Sequence, residues 1–104
     1  MSSSKAYLDF VLEQLSELDC ISYRTMMGEY VMYYRGKVIG GIYDDRFLLK
    51  STKSVVAMMP DATREIPYPG AKEMILADID DRTLTASVIK AMYEELPAAK
   101  KNKL

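Results

Sequence analysis

Tyr7, Leu8, Val11, Leu12, Leu15 and Leu18 recur at spacings of three and four, the period of one face of an α-helix. Ser3 or Ser4 offers an N-capping oxygen, and neither Gly nor Pro interrupts the stretch. A helix is therefore predicted over about Lys5–Leu18, with Asp9, Glu13 and Glu17 on its wet face. From Ile21 to Lys50 the pattern changes to β-branched and aromatic residues punctuated by Gly and Asp. It predicts four antiparallel strands, at about Ser22–Met26, Glu29–Tyr34, Lys37–Tyr43 and Arg46–Lys50. Arg35-Gly36 and Asp44-Asp45 supply tight turns, because Gly and Asp tolerate the positive φ that such turns demand. Gly28 is expected to permit a bend or bulge between the first two strands. Connections this short force a meander.

Ser51 or Thr52 can cap a second helix, Lys53–Met59, which Pro60 stops. Pro67-Tyr68-Pro69-Gly70 is a stiff extended segment with a turn. Lys72–Ile79 alternates loosely and is expected to form a fifth strand. Asp80 or Asp81 then caps a last helix striped by Leu84, Val88, Ile89, Met92, Tyr93 and Leu96, and Pro97 ends it. The expected fold class is α+β, a two-layer antiparallel meander of about five strands packed with N-terminal, middle and C-terminal helices. Residues 1–97 form one domain, and 98–104 are expected to be a basic disordered tail.

The strand faces raise a question of cover. Alternation puts Val31 and Tyr33 on one face and Tyr30, Met32 and Tyr34 on the other, so both faces are partly apolar. Either the last helix and the Pro67–Gly70 segment wrap the second face, or a homodimer or protein partner covers it. The candidate interaction residues are Arg24, Tyr30, Tyr33, Tyr34, Tyr43 and Tyr68. Gly40-Gly41 inside the third strand marks a bulge, an overlying tyrosine ring or a ligand approaching the backbone.

Composition narrows the chemistry. At 49% hydrophobic and 28% charged residues in 104, the chain is one globular domain. It has no apolar run long enough to span a membrane and no signal-peptide pattern, so a cytoplasmic location is expected. The absence of histidine removes Ser-His-Asp and Cys-His arrangements and the commonest general base. The lone Cys20 makes a poor metal site, and the glycines have no phosphate-loop or dinucleotide spacing. No catalytic residue, cofactor or metal site is expected. The net charge of −1 conceals a basic end, Lys100, Lys101 and Lys103, on a more acidic body. This is a poor footprint for DNA, so direct nucleic-acid contact is not expected. The competing readings are a nucleic-acid accessory protein using that tail with Arg24, Arg35 and Lys37, and a small-molecule binder or unrecognised enzyme with a pocket near Gly40, Gly41 and Tyr68.

Arg24-Thr25-Met26-Met27-Gly28-Glu29-Tyr30, followed by Tyr33, Gly36, Ile39, Ile42, Asp44-Asp45 and Leu48-Leu49-Lys50, resembles the N-terminal domain of TfoX/Sxy proteins. That family's pattern is R-x-M-F-G-x-[YG], a hairpin Gly, an apolar strand, a D-D-type turn and L-x-L-K. The helix opening Tyr7-Leu8-Asp9-Phe10-Val11 and Tyr68-Pro69-Gly70 also fit, and the resemblance covers about residues 3–96. It implies a two-layer α+β fold similar to secretion-chaperone-like domains. It also implies a regulatory role linked to natural competence through co-activation of transcription. Met27 stands where the family pattern has Phe. Longer members add a helical C-terminal domain for which 104 residues leave no room. Met26, Gly28, Gly36, Gly40, Gly41, Asp44, Asp45 and Lys50 are the structural motif positions.

Overall fold

A computed structural model describes residues 3–97; the basic segment 98–104 lies outside the described residues. The elements are α1 (Lys5–Gln14), β1 (Ile21–Met26), β2 (Glu29–Tyr34), β3 (Lys37–Ile42), β4 (Phe47–Lys50), α2 (Lys53–Met58), β5 (Arg64–Glu65), β6 (Met74–Leu76) and α3 (Arg82–Tyr93). The three helices are capped as their sequences suggest. Ser4, Thr52 and Asp81 each accept a bond from the backbone N–H three residues on. α1 ends sooner than its apolar stripe. Leu15 leaves the helical region, and tighter i→i+3 bonds to Ser16 and Leu18 carry the stripe onward, so Leu15 and Leu18 stay buried.

The first four strands are joined by three two-residue turns, Met27-Gly28, Arg35-Gly36 and Asp44-Asp45. All six turn residues have positive φ, between 51° and 85°. This is the type I′ geometry, whose twist matches that of the flanking strands. Gly28 therefore belongs to a hairpin turn, a correction to the bend or bulge expected there. The bulge lies instead in β3. Met32 faces Gly40 while Tyr33 faces Val38, leaving Ile39 as the extra residue.

The sheet has six antiparallel strands rather than about five, in the order β1-β2-β3-β4-β6-β5. The fifth expected strand is β6, shorter than Lys72–Ile79, and it sits between β4 and β5. The two-residue β5 is too brief to show a sequence period. One sheet face carries Met32, Tyr34, Ile39, Ile42, Phe47, Leu49 and Ile75 into a single core with Leu8, Val11 and Leu15 of α1, Val55 of α2 and Val88, Ile89 and Met92 of α3. Most of these side chains are fully buried, each worth roughly 1.5–3 kcal/mol relative to exposure. All three helices thus cover the same face.

The glycine pair has two separate causes. At Gly40, the residue after the bulged Ile39, a Cβ would lie 2.0 Å from the Leu48 carbonyl oxygen of β4. At Gly41 a Cβ would lie 2.7 Å from the Tyr43 ring and from the Tyr30 carbonyl oxygen, so a tyrosine does lie over that gap.

Candidate functional site

The tyrosines divide between the two faces. Tyr34 is only 5% exposed and meets Tyr93 of α3 edge to face at 5.4 Å. Tyr30 is half-buried against the core and makes a T-shaped contact with Tyr23 at 5.8 Å. Tyr34 is thus covered by α3 of the same chain, and Tyr30 packs partly against the same core, the first of the two alternatives for these positions. Tyr33 is half-buried and alternates onto the opposite face.

That second face carries Arg24, Val31, Gly41, Leu48 and Leu76, which stand opposite one another across neighbouring strands. Leu48 is fully buried yet stands apart from the helix-side core. Tyr43 lies over Gly41 and packs at 6.1 Å against Tyr68 from the Pro67–Gly70 segment. Burial pushes the Tyr43 hydroxyl above its usual pKa, and the nearby Tyr68 and Glu29 reinforce the shift. Part of the second face is therefore wrapped by that segment.

Beside it runs a groove of about 520 Å³ lined by Tyr43, Tyr68, Lys50, Lys72, Glu73 and Glu95 among others. Glu95 accepts bonds from the Ser54 backbone N–H at 2.9 Å and from its hydroxyl, which hold its pKa below the ordinary value. Glu73 faces Arg64 at 3.7 Å. Both acids already have partners, whereas Lys50 and Lys72 form no ion pair among the described residues.

The basic residues offered for nucleic acid are dispersed. Arg35 forms a two-pronged pair with Asp19 at 3.1 and 3.2 Å, and both partners are exposed. Lys37 donates to the Tyr93 carbonyl at 3.0 Å and sits 4.1 Å above that ring. Arg24 lies on the exposed β1.

Strand β1 is the feature that the sequence left unweighted. It pairs only with β2, and five of its six residues are exposed. Met26 and Glu29 flank a two-residue turn, so they bond to each other, as do Arg24 with Val31 and Ser22 with Tyr33. The Arg35 N–H bond to the Cys20 carbonyl continues this alternation. The backbone N–H and C=O groups of Ile21, Tyr23 and Thr25 therefore point outward. Around them Tyr23 is 41% exposed, Met26 52% and Met27 97%. Met27 also has a φ of 52°, which costs a bulky side chain energy and returns no packing. Tyr23 and Met27 were missed because alternation alone does not say which strand ends a sheet.

The opposite edge is blunted. β5 has two residues, Glu65 pairs with Arg46, and Pro67 follows. The start of α1 is tied to two of the turns, and the Ser3 N–H donates to the Gly28 carbonyl at 3.0 Å. The Ser3 hydroxyl donates to Glu29 at 2.5 Å, the Asp45 N–H donates back to Ser3 at 3.1 Å, and the Ser4 N–H donates to Asp45 at 2.7 Å. The Asp44-Asp45 turn thus holds the start of α1. Among the described residues no cluster of three or more metal-ligating side chains occurs, and no helix is long and apolar enough to cross a membrane.

Residues 13–98 match the family model of the TfoX N-terminal domain. The chain is also 30% identical over 105 residues to an uncharacterized 12.7 kDa protein in the trpE 5′ region of Spirochaeta aurantia, covering 99% of this chain and 91% of that one. No solved structure matches it significantly.

Proposed function

The chain belongs to the TfoX N-terminal domain family, and from that premise we propose that it is a non-catalytic regulatory module that works by strand addition at β1. The observation that carries this reading is the open edge: six residues long, unbulged, free of proline and flanked by exposed Tyr23, Met26 and Met27. An unpaired row of backbone donors and acceptors is a template for another strand, with adjacent side chains supplying specificity. Regulation, including the competence link implied by the family resemblance, then passes through protein contact rather than direct DNA contact. The scattered and internally engaged Arg35 and Lys37 support that division.

The test is Thr25→Pro, which removes an outward N–H and leaves the bonds to β2 in place. A strain lacking the gene is complemented with wild type or with this variant, and transcript profiles are compared. The variant should leave the deletion profile unrestored while its circular dichroism and urea midpoint match wild type. Full restoration by a folded Thr25→Pro protein rules the reading out.

The groove supports a second reading, a site for a small aromatic anion that lies against Tyr43 and Tyr68 with Lys50 and Lys72 as counter-charges. Benzoate titrated into the protein should shift the NMR signals of Tyr43 and Tyr68, and Lys50→Gln should weaken the effect. Unmoved signals at millimolar benzoate would reject it.

A further inference from the structure

We propose that the strand added to β1 is the β1 of a second copy, paired antiparallel about a two-fold axis beside Tyr23. This rests on the reading of β1 as a strand-addition edge and goes further by naming its occupant and register. In a two-fold antiparallel pair, the residue numbers facing each other add to a constant. The outward groups belong to Ile21, Tyr23 and Thr25, so odd residues must face odd residues.

Three registers satisfy this rule near the centre of the strand. One centred on Arg24 sets Arg24 against the partner's Arg24 in a close, non-hydrogen-bonded pair, and like charges there repel. One centred on Ser22 leaves Thr25 beyond the end of the opposing strand. The register centred on Tyr23 engages every outward residue: Ile21 with the partner's Thr25, Tyr23 with the partner's Tyr23, and Thr25 with the partner's Ile21. Arg24 then faces the partner's Ser22, so no like charges meet. The Tyr23 rings, 41% exposed in the isolated chain, gain an aromatic neighbour across the axis.

Closure follows from the difference between the edges. Pairing through β1 joins the two sheets into one and leaves only the blunted β5 strands outside. The assembly is a closed dimer and not a growing ribbon.

The register makes a covalent prediction. Position 23 faces the partner's position 23 in a hydrogen-bonded pair, where Cα atoms lie about 5.5 Å apart, within disulfide reach. The exposed Cys20 precedes β1 and has a φ of 57°, so it stands outside the ladder and is replaced by Ser in the test protein. Cys20→Ser combined with Tyr23→Cys, oxidised with oxidised glutathione, should run as a dimer on non-reducing gels, joined through position 23. In the registers centred on Arg24 or Ser22 the two thiols stand two residues out of line, roughly 7 Å along the strand, and do not join. Sedimentation equilibrium of the full chain between 1 and 100 μM, on the order expected for modest interfaces, should show wild type as a monomer–dimer equilibrium. Thr25→Pro should weaken it on the order of tenfold or more.

A wild type that stays monomeric with no cross-link overturns the proposal. So does a dimer indifferent to Thr25→Pro, or one whose thiols fail to join. If wild type is monomeric but Thr25→Pro still fails complementation, the occupant is another protein, and only this inference falls. If the dimer forms as described but Thr25→Pro restores the transcripts, the functional reading falls and the dimer stands.

Discussion

Gly40 and Met27 occupy opposite situations, and each yields a measurable consequence. A Cβ at Gly40 meets backbone that cannot step aside, the Leu48 carbonyl at 2.0 Å. Gly40→Ala should therefore destabilise the fold by about 1–3 kcal/mol or more, measured by urea unfolding. At Gly41 one of the close neighbours is the Tyr43 side chain, which can swing away, so Gly41→Ala should cost less than Gly40→Ala. Met27 is the reverse, a side chain with space but an unfavourable backbone. Asn accepts positive φ more readily, so Met27→Asn should stabilise the monomer by about 0.5–1 kcal/mol while reducing any function that needs an apolar hairpin tip. Asp44-Asp45 and Arg35-Gly36 were legible in the sequence because few residues tolerate that conformation. Tyr34 was not. Its alternation with Tyr33 was plain, but only the position of Tyr93 on α3 decides which of the two is covered.

Between elements, the contact from the end of α3 to the start of α2 is electrostatic. Glu95, exposed at the groove, receives the Ser54 N–H and hydroxyl at the first turn of α2. Its pKa is lowered in the folded state, chiefly by the Ser54 hydroxyl and then by its backbone N–H. The stabilisation is therefore present above the ordinary carboxylate value of 4.5 and is lost as pH falls through the lower folded value. Wild type should lose part of its urea midpoint on acidification below about pH 4.5, and Glu95→Gln should lack that component. The helices and the first four strands were readable because periodicity, caps and turn residues agree with one another. The break in the meander was not. Nothing in Met74–Leu76 says that it pairs with β4 on one side and with a two-residue strand on the other. The β3 irregularity was signalled by Gly40-Gly41, but nothing in the sequence says that the extra residue is Ile39, which suits a strand in either register.

At the scale of the whole molecule, one sheet face is closed by helices, the other is partly closed by Tyr43 and Tyr68, and one edge is open. Amide exchange should register the difference. The N–H groups of Ile21, Tyr23 and Thr25 should exchange faster than those of Ser22, Arg24 and Met26, and their protection should rise with protein concentration. Equal rates at every concentration would mean that the edge is not a docking surface. The insertion of β6 beside β4 also orders the chain in time. β1 to β4 are linked by tight turns and can pair within microseconds of emerging during synthesis. The α3 share of the cover over their apolar face, Val88, Ile89 and Met92, is made more than thirty residues later than Lys50, on the order of seconds at ribosomal speed. For that interval Met32, Ile42, Phe47 and Leu49 have only α1 and then α2 to cover them. The half-made chain therefore carries exposed apolar surface that the finished one does not, and truncation before α3 should send it to chaperones or aggregates.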